Sequence, residues 1–211
     1  MIAFEHVTFG YRRSERIIAD LSLRIEDGDR ICLSGRSGIG KSTFIRLLTG
    51  LSKPQEGRVI VPEGTSFSVV FQEDRLIPWK SVLDNVTFFS GGKKEEISDT
   101  HRDSAHTGSP EKAPDAYMME RALLDELGLH DVMNALPEEL SGGMKRRAAL
   151  ARALAHPFDV LILDEPFTGI DDETKERCIS AVEHRLQDKI LVMATHDIAE
   201  ADALHARMIK M

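Results

Sequence analysis

Gly35-Arg36-Ser37-Gly38-Ile39-Gly40-Lys41-Ser42 decides what kind of chain this is. It fits the pattern G-x-x-x-x-G-K-[ST]. It follows a short apolar run at 30–33 and precedes a stretch of helical character at 42–49 that stops at Gly50. Strand, glycine-rich loop and helix, in that order, are the context the pattern requires. Glycines let the backbone curl until successive N–H groups face inward, and the following helix adds the positive end of its dipole. The result is a cradle for phosphate oxygens. Lys41 would reach the outer phosphates of a nucleotide, and the Ser42 hydroxyl can ligate Mg²⁺. The plainer reading, a glycine-rich turn with an incidental lysine, leaves the flanking strand and helix unexplained. Gly35, Arg36, Ser37, Gly38, Ile39, Gly40, Lys41, Ser42 and Thr43 are therefore the candidate nucleotide-binding residues.

Outward from the loop, Leu21, Leu23 and Ile25 alternate with polar residues, a half-buried strand closed by Asp27-Gly28-Asp29. Further strands are expected at 58–61 and 67–71, and Ser81 can cap a short helix at 82–88. The back half alternates helix and strand. Helices are expected at 116–127, 144–155, 172–187 and 197–204, with strands at 160–163, 190–194 and 207–210. That alternation predicts a parallel α/β core. Residues 91–115 hold only Ile97, Ala105 and Ala113 as apolar members among Gly, Ser, Thr, Lys, Glu, His and Pro. Such a segment buries too little to offset its ordering entropy, so a mobile insertion is expected. His101 and His106 within it lack the further ligands a metal site needs.

Two more stretches carry chemistry. Val160-Leu161-Ile162-Leu163 runs into Asp164-Glu165-Pro166, and two carboxylates ending a buried strand are costly unless a cation or hydrogen bonds compensate them. Adjacent strand residues face opposite sides, which assigns Asp164 to the Mg²⁺ shell and Glu165 to an attacking water as general base. Leu140-Ser141-Gly142-Gly143-Met144 precedes the helix at 144–155. Ser141 and two glycines can cap it and bring N–H groups to an anion, although an ordinary capped helix start fits as well. A second anion site beside a complete cradle makes sense where two chains meet head to tail.

Composition narrows the partners. With 27 Lys+Arg against 35 Asp+Glu the net charge is −8, so no nucleic acid is expected as ligand. No apolar run of 18 residues spans a membrane, and Met1-Ile2-Ala3-Phe4-Glu5-His6 lacks the features of a signal peptide. A cytoplasmic location is expected. Cys32 and Cys178 are far apart and read as buried packing residues.

The glycine-rich loop, Leu140–Met144 read as a signature close to LSGGQ, and the run from Leu161 to Pro166 resemble the nucleotide-binding domains of ABC transporters. Tyr11, Gln72, Asp171 and His196 fall in the same family order. Taken singly, Tyr11 and His196 would pass as structural residues and Gln72 as a polar strand end. The resemblance implies that Tyr11 stacks on adenine, Gln72 touches Mg²⁺ and the attacking water, His196 bonds the γ-phosphate, and Asp171, in the D-loop, is among the nucleotide-binding residues. It implies a P-loop α/β core with a mostly parallel sheet and an antiparallel β subdomain near the N-terminus. A helical subdomain near 73–157 would carry the signature, all within one domain, 1–211. ATP and Mg²⁺ are the implied cofactors. The implied partners are an integral membrane permease, a second copy of the chain and, indirectly, a solute-binding protein, with the subunit peripheral on the cytoplasmic membrane face.

Phe71-Gln72-Glu73-Asp74-Arg75-Leu76-Ile77-Pro78-Trp79, with Leu83-Asp84-Asn85-Val86 and Met144, resembles the nitrate/sulfonate/taurine importer branch. That implies import of a small anion or sulfonate-like solute; a related ATPase of an export or cell-division system is the alternative. Trp79 fits core packing or a docking role equally well. Arg146 stands where many relatives carry Gln, and Gly169-Ile170-Asp171 replaces the commoner Ala-Leu-Asp, which bears on turnover more than on ATP binding. Relatives usually continue past the strand at 207–210, so a compact variant or a missing C-terminal piece is expected. A small-molecule P-loop kinase would have no use for Leu140–Met144 or His196. A chromosome-type ATPase would need a long heptad insertion between Gln72 and Leu140, and a non-catalytic module would be expected to have lost Lys41, Glu165 or His196.

Overall fold

Val160 and Ile162 turn to one side of a sheet and Leu161 and Leu163 to the other, and all four are fully buried. That is why their run shows no alternation of polarity: this strand is covered on both faces. The computed structural model describes residues 1–12, 16–36, 38–88 and 117–211. Its elements in chain order are β1 (Ile2–Phe9), β2 (Ile18–Ile25), β3 (Arg30–Ser34), α1 (Lys41–Leu48), β4 (Glu56–Ile60), β5 (Phe67–Val70) and α2 (Val82–Thr87). There follow α3 (Met118–Glu126), α4 (Gly142–Leu154), β6 (Val160–Asp164), α5 (Asp172–Leu186), β7 (Ile190–Ala194), α6 (Ile198–Ala203) and β8 (Arg207–Lys210). Short 3₁₀ turns at His130–Val132 and Pro137–Glu139 join α3 to α4. The expectations for residues 91–115, His101 and His106 lie outside the described residues.

The five-stranded sheet has the order β5-β6-β7-β3-β8 and is parallel throughout. A separate antiparallel sheet has the order β2-β1-β4. The two sheets sandwich α1, whose Phe44 stacks on Phe4 of β1 with ring centroids 4.5 Å apart. Ile31, Leu33, Val160, Ile162, Ile190 and Val192 close that side of the core. On the opposite face Cys32, Leu161, Leu163, Leu191 and Met193 pack with the helices α2 to α6. Each fully buried aliphatic or aromatic side chain contributes about 1.5–3 kcal/mol relative to exposure. The parallel α/β core is thus the one the strand–helix alternation predicts, and the N-terminal antiparallel sheet is the one the family resemblance implies.

Local differences have local reasons. β1 shows no usable alternation because the register shifts between Phe4 and Val7 around His6, which takes a left-handed conformation at φ 51°. α4 begins at Gly142, two residues earlier than its apolar pattern suggests, because the Ser141 hydroxyl accepts from the Met144 N–H at 3.3 Å and draws both glycines into the first turn. Trp79 is 77% exposed, which removes the core-packing reading. Cys32 and Cys178 are buried and unpaired, and burial pushes the Cys178 thiol up to about 11. Among the described residues no helix is long and apolar enough to cross a membrane.

Candidate nucleotide site

Parallel pairing aligns the C-terminal ends of four adjacent strands. Val70 of β5 pairs with Leu163 of β6, Leu163 with Met193 of β7, and Met193 with Cys32 of β3. Counting forward two residues from that row gives Gln72, Glu165 and Thr195 beyond the ends of their strands and Ser34 as the last residue of β3, with His196 and Gly35 one further. The C-terminal edge of a parallel sheet is where α/β proteins place their ligands. A cavity of about 690 Å³ lies there, lined by Tyr11, Gly35, Arg36, Gly38, Gly40, Lys41, Ser42, Thr43, Gln72, Asp164, Glu165 and His196, with Ile17, Arg146 and Thr168.

The loop 35–40 reaches α1 through Gly35, Gly38 and Gly40, all with left-handed or otherwise positive φ. A Cβ at Gly35 would meet Ile39 Cγ2 at 2.9 Å, so the curl needs glycine there. Ile39 itself packs back on the loop and does not line the cavity. Ser37 lies outside the described residues. Lys41 Nζ donates to the Gly35 carbonyl at 2.8 Å, which folds its ammonium over the loop. Ser42 Oγ donates to Asp164 Oδ2 at 3.1 Å. Burial raises the Asp164 carboxyl above its ordinary range, while the Ser42 bond and the charges of Lys41 and Arg146 act in the opposite direction.

Glu165 corrects the expectation that adjacent acids face opposite sides. β6 ends at Asp164, and Glu165 turns left-handed at φ 50°, so strand alternation no longer applies and both carboxylates line one cavity. Their partners still differ, since Glu165 Oε2 lies 2.9 Å from His196 Nδ1. Tyr11 is 57% exposed, packs edge-on against Phe9 and approaches Thr43 Oγ1 at 3.4 Å.

Ser141, Gly142, Gly143 and Asp171 are not brought to this cavity. They line a second one of about 520 Å³, together with Gln72, Asp74, Arg146, Arg147 and Thr168. Asp171 caps α5 by accepting from the Thr174 N–H at 3.0 Å, and that bond holds its carboxyl below the usual range. Thr168 and Arg146, which line both cavities, were missed as site residues in the sequence. Thr168 has no motif to mark it. Arg146 had a signal: it shares the i, i+4, i+8 stripe of α4 with Leu150 and Leu154, which are buried.

A phosphate-cradling loop, a serine–carboxylate pair and a histidine–carboxylate pair on the edge of a parallel sheet define a P-loop ATPase. The ABC transporter profile matches residues 18–168, and the chain belongs to that family as its ATP-hydrolysing cassette. The aliphatic sulfonates import ATP-binding protein SsuB 1 of Rhodococcus jostii is 35% identical over 99% of this chain and 79% of its own length. The nitrate import ATP-binding protein NrtD of Synechocystis sp. is 39% identical over 96% of this chain and 73% of its own. Among solved structures, the dimeric post-hydrolysis state of the ATP-binding cassette MJ0796 bound to ADP and Pi superposes with a TM-score of 0.79 at 26% identity, covering 100% of this chain and 94% of that one.

Proposed function

We propose that this ATPase powers import of a small anion or sulfonate-like solute, as a head-to-tail pair of chains docked through an integral membrane permease on the cytoplasmic face of the membrane. A solute-binding protein would deliver the cargo. The kinship with sulfonate and nitrate import proteins supports the solute class. The whole chain, 1–211, acts as one cassette, with a helical part near 73–157.

In this reading Lys41, Ser42, Thr43 and the loop 35–40 hold the phosphates, and Tyr11 holds the adenine. Ser42, Asp164 and Gln72 offer only oxygen donors, a hard set that fits Mg²⁺, and the Ser42–Asp164 contact at 3.1 Å brings two of them together. No group of three or more His, Cys, Asp or Glu forms a metal cage among the described residues, which suits an ion that leans on phosphate and water instead. When bound, Mg²⁺ would neutralise phosphate charge. Glu165 takes the proton of the attacking water. His196, tethered to Glu165 at 2.9 Å, donates toward the γ-phosphate.

The observation that carries the paired arrangement is the separation of the two cavities: the Ser141-Gly142-Gly143 helix start opens onto a different space from the Lys41 cradle. Each cradle is then completed by the helix start and Asp171 of the other chain. Loss of a general base costs about 10²–10⁴ in rate, so Glu165→Gln should bind ATP without turning it over. Gel filtration should give a dimer with ATP that disappears with ADP, while Lys41→Ala stays monomeric. Hydrolysis by Glu165→Gln at the parent rate sinks the base assignment; tight ATP binding by a persistent monomer, even with the permease present, sinks the paired site. Co-purification of the membrane partner and identification of its cargo tests the solute class.

A further inference from the structure

Arg146 spends its guanidinium on the backbone of one loop. Its side chain is 6% exposed. Nη1 donates to the Phe71 carbonyl at 2.7 Å and Nη2 to the Gln72 carbonyl at 2.8 Å, and Nη1 also lies 3.1 Å from Asp74 Oδ1. Arg152, on the same helix, takes the Asp74 carbonyl at 3.0 Å and the Arg75 carbonyl at 2.7 Å. Four carbonyls within residues 71–75 are therefore held by α4. The ladder of β5 ends at Val70. Beyond it, among the described residues, the main chain of this loop is tied to helices and not to the sheet at whose edge Asp164 and Glu165 lie, and Asn85 of α2 continues the pattern by binding both the N–H and the carbonyl of Ile77.

The two carbonyls gripped by Arg146 bracket the Cα of Gln72. A planar fork that satisfies both at once fixes the orientation of that residue as well as its position, because rotating either peptide breaks one of the bonds. Arg146 also lines both cavities, the one containing Lys41 and Glu165 and the one containing Ser141 and Gly142. We propose that Arg146 is a positioning residue for ATP hydrolysis, which aims the Gln72 amide into the Lys41–Glu165 cavity and ties that aim to the helix beginning Ser141-Gly142-Gly143. The inference rests on the role given to Gln72 above.

Alanine at 146 would strand two carbonyls and the Asp74 carboxylate, so Arg146→Gln and Arg146→Lys are the informative variants. Each keeps a donor in place, but neither spans both carbonyls. The misplacement of a group near the reacting atoms by about 1 Å can cost up to about 10² in rate, so a loss of about tenfold in kcat is expected, with KM for ATP within about twofold. In protein free of nucleotide and metal, amide hydrogen exchange of residues 71–75 should quicken while that of 41–48 stays at the parent rate. In a Gln72→Ala background, adding Arg146→Gln should lower kcat by less than about twofold, since the two act as one unit. Parent kcat and parent exchange in both Arg146 variants would overturn the proposal. So would a full additional loss in the Gln72→Ala background, or a fall in kcat matched by a rise in KM and a lower melting temperature, either of which makes Arg146 a structural residue only. If Gln72→Ala itself hydrolyses ATP at the parent rate, the role of Gln72 fails and takes this inference with it; if Gln72→Ala is slow but the Arg146 variants are not, the positioning role alone fails.

Discussion

Single residues at the strand ends carry the chemistry in the proposed mechanism, and their surroundings set their charge. Glu200 illustrates the control exerted from behind the site. It is buried one turn past His196, and its Oε2 accepts from the Thr195 hydroxyl at 2.7 Å. Burial raises its carboxyl above its ordinary value of 4.5, with the Thr195 bond and the Lys175 charge acting the other way. A folded-state pKa raised above the unfolded one means that the associated stability is fully present below about pH 4.5 and is lost as pH rises through the folded value. Glu200→Gln keeps an acceptor for Thr195 and carries no charge, so it should escape that loss. Its melting temperature relative to the parent should be more favourable at pH 7 than at pH 4.5; the opposite order would show that the Lys175 contact at 3.9 Å outweighs burial. The same scale shows what residue patterns can and cannot tell. The cradle and the Asp164-Glu165 pair are legible because their chemistry is written in consecutive residues. The sharing of one cavity by both acids is not, since it depends on a left-handed turn at Glu165 that a bulky L residue rarely adopts.

At the scale of elements, α4 separates folding from function within two adjacent glycines. A Cβ on Gly142 meets nothing within 4 Å, whereas one on Gly143 would come within 2.8 Å of the Gly169 carbonyl. Alanine favours a helix over glycine by up to about 1 kcal/mol. Gly142→Ala should therefore keep or raise the melting temperature, yet weaken ATP-dependent pairing, because the open space it fills is the one assigned to the other chain's nucleotide. Gly143→Ala must displace the 169–170 turn and should lower the melting temperature as well. Equal pairing by Gly142→Ala and the parent, measured by gel filtration with Glu165→Gln in both, would show that this helix start does not meet the second chain. Helix and strand placement was largely readable because periodicity is a local signal, and α2, α5, β6 and β7 fall within a residue or two of their patterns. β1 escaped it through its break at His6, and the inward turn of Arg146 was hidden in the basic run Lys145-Arg146-Arg147, where only the helical phase of Leu150 and Leu154 tells which of the three is buried.

For the molecule as a whole, one feature that folding leaves unexplained among the described residues is an exposed tryptophan on the loop that follows Gln72. That loop starts at the edge of the ATP cavity, also borders a cleft of about 390 Å³ lined by Ile45, Leu51, Phe71, Gln72, Glu73 and Arg75, and runs on to Trp79. Its far end is pinned by Asn85, so it is a held surface rather than a loose one. Leu51, just past the end of α1, is exposed as well, and apolar side chains beside a cleft would suit a helix of the permease proposed as partner. Removing an exposed side chain usually changes stability by no more than about 0.5 kcal/mol, whereas a tryptophan at the centre of an interface is typically worth about 2 kcal/mol or more of binding. Trp79→Ala should thus leave the melting temperature and the ATPase rate of the isolated chain unchanged. Co-purification with the permease and stimulation of ATP hydrolysis by it should both fall by about thirtyfold in affinity, the equivalent of 2 kcal/mol. Unaltered permease binding by Trp79→Ala, or crosslinks from the permease that gather on α5 and not on residues 72–79, would place the docking face elsewhere on the cassette.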